Sequence, residues 1–359
     1  MIYKTKAILS IVGLSTSLLM GAISIDNNQS SDVIEEVKRT GGDVIITIPS
    51  VPIPIKPIKV TTIGGNSPVI ENINKYELRS MAMKGNRPPV KAKITDNKIS
   101  KAKVGEIDNS RVSSYLRGKL QSSESVIKSL KDAGFKILSS DKIDKKGKLV
   151  TIVFTNDVLT KMVDKDNRAF AGTLRVLINK IDKEIAFNNP LYQSKAFMQD
   201  DFDMKIIEGI LDSIRKAFPT VTNCNDKLKF NLLPKYHFMA SMPFYQDMIT
   251  LAKGTSTQAL LESIKKKKRK NIVYTHIISK DRVVIGIKLG KRTSKFINKI
   301  GTKNAGLLPY PVLVENGEAK ILDPKYYISI MYPELKMSQF MTIATIPDDI
   351  EKDTGRMFR

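Results

Sequence analysis

The sequence predicts an α+β fold: two similar modules, each an antiparallel sheet with helices packed on it, behind an extended proline-rich N-terminal arm. Three observations carry that expectation. Residues 170–192, FAGTLRVLINKIDKEIAFNNPLY, return in altered form at 304–326, NAGLLPYPVLVENGEAKILDPKY, and one spacing of 134 residues separates Ser123 from Thr257 and Pro190 from Pro324. Apolar runs of strand length lie between turn signals, and Val312-Leu313-Val314 leads into Asn316-Gly317, a strong marker of a tight hairpin. Helical periodicity puts Val126, Ile127 and Leu130 on one face, and Ile207, Leu211, Ile214 and Phe218 on another.

In chain order, residues 1–24 read as an export signal, with Lys4 and Lys6 before an apolar run from Ala7 to Ala22 and small residues at Ala22-Ile23-Ser24. The expected destination is the periplasm, with an uncleaved N-terminal membrane anchor as the alternative and no transmembrane domain after cleavage. Residues 25–110 form the arm and a basic linker. Pro49, Pro52, Pro54 and Pro57 interrupt a β-branched run, and proline cannot donate to a ladder, so an extended spacer or docking arm is expected. Within 84–103 seven lysines and arginines meet only Asp96.

The first module spans 111–220, with strands near 113–120, 135–138 and 149–154. Helices are expected from Ser122 or Ser123 to Gly134, over 157–163 and over 202–218. A bridge rich in Met and His, 221–246, leads to the second module at 247–359, with a helix capped near Thr257 and strands at 271–277 and 282–289. The spacing of 134 needs no gap from Ser123 to Gly172, so LVTIVFTN from Leu149 falls on VVIGIKLG from Val283. The second copy then gains two residues before Val312 and loses two in the turn. The lysine-rich run from Lys265 to Lys270 suits the negative end of a helix dipole, with contact to a polyanion as the other use.

At 359 residues and 42% hydrophobic content the chain can bury two cores. Its net charge of +23 allows weak contact with an anionic surface, although lysines also simply coat a solvated exterior. The absence of Trp and the thin aromatic content speak against specific nucleic-acid binding. Cys224 is the only cysteine, so no intramolecular disulfide forms.

Two constellations offer chemistry. Asn188-Asn189-Pro190-Leu191-Tyr192 and Leu322-Asp323-Pro324-Lys325-Tyr326 bring short polar side chains, a proline and a phenol to the end of a strand. Asn188, Asn189, Tyr192, Asp323 and Tyr326 are therefore ligand-binding candidates, while the same residue types also cap helices. In the bridge, His237, Met239 and Met242, with Cys224 upstream, supply soft donors suited to Cu(I), although methionine is equally a filler of irregular cores. No His-Glu-x-x-His, Gly-x-Ser-x-Gly or phosphate-cradling glycine loop occurs.

The capped helix ending in AGF, the TIVFTN strand, the Ala-Gly approach, the hairpin and the Asn-Asp-Pro-x-Tyr-like corner resemble the domain-of-unknown-function 302 family, over about 113–218 and 247–340. The resemblance implies compact α+β modules and no established activity. Neither corner keeps the full Asn-Asp pair, since the first has Asn189 and the second Leu322.

The function expected is an exported, non-catalytic binding protein, taking a small molecule or an envelope protein in a groove on one sheet or between modules. The cofactor is unknown. Periplasmic handling of copper or haem through the Met/His bridge, and an enzyme using Asp323 and Tyr326, are the alternatives.

Overall fold

The computed structural model describes residues 102–267 and 270–359, together with a short antiparallel pair, Arg39–Thr40 with Asp43–Val44. The segments expected to be an export signal and a proline-rich arm, apart from that pair, and most of the basic linker lie outside the described residues. The described residues from 102 to 359 belong to one compact unit. Among the described residues no helix is long and apolar enough to cross a membrane.

The fold is α+β. The first half contains β1 (Arg111–Ser113), β2 (Tyr115–Lys119), α1 (Ser123–Asp132), β3 (Lys136–Lys142), β4 (Leu149–Thr155), α2 (Asp157–Met162), β5 (Leu174–Asn179), β6 (Glu184–Asn188), α3 (Pro190–Met198) and α4 (Met204–Ala217). Short strands β7 (Thr222–Asn223) and β8 (Lys227–Lys229) then pair back onto β2 and β1. The second half contains β9 (Ile249–Lys253), α5 (Thr257–Lys266), β10 (Ile272–Ser279), β11 (Arg282–Ile287), α6 (Ile297–Ile300), β12 (Tyr310–Glu315), β13 (Glu318–Ile321), α7 (Pro324–Met331), α8 (Met337–Met341) and α9 (Ile346–Gly355). The first sheet runs β3-β4-β5-β6-β2-β7 and the second β10-β11-β12-β13-β9, all antiparallel, so matching strands take matching places.

Local chemistry sets the element ends. Ser122 caps α1 by accepting from Ser125 N at 3.2 Å, and Gly134, at φ +85°, takes the chain away from it. Ser256 does the same for α5, accepting from Ala259 N at 3.1 Å. Asn316 and Gly317 both have positive φ, 51° and 76°, as a tight primed hairpin requires.

The strand pairings correct the expected alignment by one residue. Ile185 faces Ile178 and Ala319 faces Val314, while one ladder further Val150 faces Ile178 and Val283 faces Val314. Val283 therefore matches Val150, whereas the gapless alignment put it on Leu149. A slip of one exchanges the two faces of a strand. The difference is taken up in the preceding hairpin, six residues long at 143–148 and only two at 280–281.

Every residue of β4, β5, β11 and β12 is buried, so each sheet centre is covered on both sides. Part of that cover comes from the other half. The turn Ala169–Gly172 packs on β11 and β12, and the matching turn Ala305–Leu307 packs on β4 and β5. Close approach explains the Ala-Gly of both copies: a Cβ added at Gly306 would lie 3.2 Å from Leu177 Cβ, and one at Gly172 2.8 Å from Val163 Cγ2. Helices α3 and α7 meet between the sheets, where Phe197 contacts the rings of Tyr326 and Tyr327, each at 6.4 Å.

Candidate anion-binding groove between the halves

The two proline corners start α3 and α7. Asn189 Oδ1 accepts from Leu191 N at 3.0 Å and Asp323 Oδ1 from Lys325 N at 2.7 Å, each followed by proline in the first helical turn. Asn189 Nδ2 also donates to Gly105 O at 2.9 Å and Ser113 O at 2.8 Å, and Asn188 Nδ2 donates to Gln193 Oε1 at 2.8 Å. Asn188, Asn189, Tyr192 and Tyr326 are buried, and partial burial raises the Asp323 carboxyl above its ordinary value.

The two tyrosines differ. Tyr192 Oη donates to Ile330 O at 2.7 Å. By the repeat spacing Tyr326 would reach Ala196 O, but that carbonyl accepts from Gln199 Nε2. Tyr326 Oη is left buried without a partner among the rings of Phe197, Tyr236 and Tyr245. The corner residues thus act in capping and packing at two equivalent helix starts.

The soft-donor residues fall into different surroundings. Cys224 is buried, its Sγ accepting from Tyr115 N at 3.4 Å and lying 3.6 Å from Ser114 Oγ. His237 Nδ1 lies 2.7 Å from Met239 O, and its ring rests against Phe244 at 4.6 Å. Met239 is exposed and Met242 packs at the edge of the core. Among the described residues no group of three or more His, Cys, Asp or Glu is placed to hold a metal ion.

The halves clasp each other at two repeat-equivalent positions, and these differ in charge. At one, Arg282 at the start of β11 contacts Asp164, Asp166 and the fully buried Glu315. Its Nε–Glu315 Oε2 distance is 2.8 Å, and Glu315 also accepts from Asn167 N at 3.0 Å and from Lys320 Nζ at 3.3 Å. On this side both cations are paired with carboxylates.

At the other position the pairings match Arg282 to Leu149 and Glu315 to Asn179. The spacing of 134 matches Asp164 to Asn298 and Asp166 to Ile300. Every charge of the clasp is replaced by a neutral side chain. Here a groove of about 900 Å³ opens between the β3–β4 hairpin and the segment 288–298.

One bank of the groove carries Lys142, Lys145, Lys146 and Lys148, the other Lys288, Lys291, Arg292 and Lys295, with Asp141 and Asp144 as its only acids. Asp141 pairs with Lys288 at 3.0 Å. Asp144 shapes its own turn, accepting from Leu149 N at 2.8 Å and Lys146 N at 3.1 Å. The other seven cations are exposed and make no ion pair among the described residues. Ile143, Leu149, Ile181, Leu289, Ile297 and Leu308 supply apolar surface to the same lining.

Against the lining at Pro309 lies a further positive charge. Arg175 is 1% exposed, yet its Nη2 contacts only neutral oxygens, Tyr274 Oη at 3.3 Å and Pro309 O at 3.4 Å, and its Nε has no partner. Pro309 is itself part of the groove wall. A guanidinium buried without a counter-charge is costly, and its field is screened less than that of the surface lysines. The groove therefore presents positive potential from the cations of its lining and from Arg175 behind Pro309.

None of the cations was singled out from the sequence, because Lys145 and Lys291 are far apart in the chain and each resembles an ordinary solvated turn. The available signal was the mismatch between repeats, a lysine-rich six-residue hairpin where the second copy has two residues. A smaller groove of about 410 Å³, lined in part by Arg111, Lys229, Leu232 and His237, lies beside the bridge. Comparison with protein-family models, curated proteins and solved structures gave no match to the chain.

Proposed function

We propose that the protein is an exported, non-catalytic binding protein that takes an anionic ligand in the groove between its two halves. The observation that carries this reading is the asymmetry of the two clasps. In one, Arg282 is paired with Asp164, Asp166 and Glu315, while the other leaves seven cations without an ion pair among the described residues around a concavity of about 900 Å³. That volume lies within the range of small-molecule sites, roughly 300–1,000 Å³. Both halves contribute to the walls, so the duplicated architecture and the site have one explanation: the second copy provides the facing bank. Similarity of the two halves to the domain-of-unknown-function 302 family remains part of the proposal, as does the periplasmic destination.

Isothermal titration of the mature chain at low ionic strength, with pyrophosphate and dodecyl phosphate as probes, tests the reading. Lys291→Glu with Lys295→Glu is expected to weaken binding by about tenfold or more, since each reversal turns an attraction of about 1 kcal/mol into a repulsion. Binding of neither anion, or binding indifferent to both reversals, would overturn it.

A further inference from the structure

Resting on that anion-binding reading, we infer that the groove selects an amphiphilic anion: one phosphate or carboxylate headgroup held by the cations of the lining, with a single alkyl chain laid along its apolar side chains. A site for a bare polyanion needs charge and backbone donors throughout. Here the cations share the lining with the apolar side chains of Ile143, Leu149, Ile181 and Leu308. Ile181, in the turn between β5 and β6, is 50% exposed at a place where solvent would favour a polar residue. The aliphatic stems of the lysines extend the apolar surface while their ammonium groups stay in water.

The repeat-equivalent clasp shows that the apolar residue at one of these positions is not forced by the fold: Arg282 occupies the place of Leu149, with the strands in the same order. Arg175 adds direction. Its uncompensated charge lies 3.4 Å from the Pro309 carbonyl, at the wall shared by Leu308, so a headgroup is favoured toward that wall and the chain toward Ile143 and Ile181.

The experiment is a titration of the mature full-length chain with octyl, decyl and dodecyl phosphate, dodecanoate, dodecanol and inorganic pyrophosphate, all below the concentrations at which micelles form. Affinity is expected to rise about two- to fourfold per added methylene. It should be similar for the C12 phosphate and carboxylate and at least tenfold weaker for dodecanol. Ile181→Ser, a change at a half-exposed position, is expected to lower dodecyl phosphate affinity several-fold and leave pyrophosphate unchanged.

Pyrophosphate binding as tightly as dodecyl phosphate, with no dependence on chain length, would overturn the amphiphile while leaving an anion groove. Dodecanol matching dodecyl phosphate, or no binding of any probe, would overturn both. Vesicles of phosphatidylglycerol separate the two sources of the same headgroup. Vesicle binding that survives Ile181→Ser but not the lysine reversals is a contact with the membrane surface, and it would overturn the single-chain site.

Discussion

Arg282→Met would remove the centre of the ion-paired clasp. The Arg282 side chain is 9% exposed and Glu315 is fully buried, whereas Asp164 and Asp166 are 42% and 72% exposed. Losing the two exposed pairs costs up to about 1 kcal/mol each and often nothing measurable. Stranding a buried carboxylate costs about 3–5 kcal/mol. Glu315 keeps Lys320 Nζ at 3.3 Å and Asn167 N at 3.0 Å, which puts the expected loss near the lower end, about 3 kcal/mol. Adding Glu315→Gln removes the stranded charge while retaining an acceptor for Asn167, and should recover about 1–2 kcal/mol of it. Urea unfolding followed by circular dichroism reads both values, with a midpoint shift of about 1 M for the single variant if the slope is about 3 kcal/mol/M. A loss below about 1 kcal/mol, or a double variant no more stable than the single, would refute the claim that this clasp holds the halves together.

Three further expectations follow from the corners and the interface. Tyr326→Phe should stabilise by about 1 kcal/mol by deleting an unpartnered hydroxyl, while Tyr192→Phe should destabilise by about as much, and thermal unfolding in which the two move together would contradict their different surroundings. Asp323→Asn should keep the cap, as Asn189 does in the first half, and leave stability at pH 7 within about 0.5 kcal/mol or slightly improved. Because burial raises the Asp323 carboxyl above 3.8, the folded form holds that proton more tightly. The wild type should thus be most favoured relative to the variant below that pH and lose the advantage as pH rises through the folded value; an opposite slope between pH 3 and 6 would count against it. His276, buried on β10 with its Nε2 3.4 Å from Thr160 Oγ1, is lowered from 6.5 by that burial, so its stability contribution is present above that pH and lost as pH falls through the folded value. His276→Gln should flatten the stability profile between about pH 7 and 5, and an unchanged profile would assign the acid sensitivity elsewhere.

Much of each half was legible because it depends on short-range chemistry. Ser122, Asn189 and Asp323 cap where their types suggest, Asn316-Gly317 turns the hairpin, and the burial of Val126, Leu130, Ile207, Leu211 and Ile214 follows helical periodicity. What depended on contacts formed only in the folded sheet was not. Helix α3 places Gln193 and Ser194 at 2% and 0% exposure, so its polar residues resembled a surface segment. Gln193 is satisfied by Thr173 O at 2.8 Å and by Asn188, partners brought near only when the sheet has formed. The one-residue slip in β11 was invisible for a similar reason, since both of the aligned runs are apolar at almost every position and similarity cannot choose between registers. The groove depends on charges more than 140 residues apart, such as Lys146 and Lys291.

The mutual covering of the two sheets has a consequence for the chain as an object. Tyr115 and Tyr192 of the first half donate to Met331 O and Ile330 O of the second, at 2.8 and 2.7 Å, and Arg117 reaches Asn304 Oδ1 at 2.6 Å. Between them the backbone at Met239, Ala240 and Ser241 is exposed. A protease cut there would sever a tether and leave the partners seated, because what joins the pieces is a buried, directly hydrogen-bonded interface. The molecule is in effect an obligate heterodimer drawn on one thread, and neither fragment alone would have anywhere to put its inner strands.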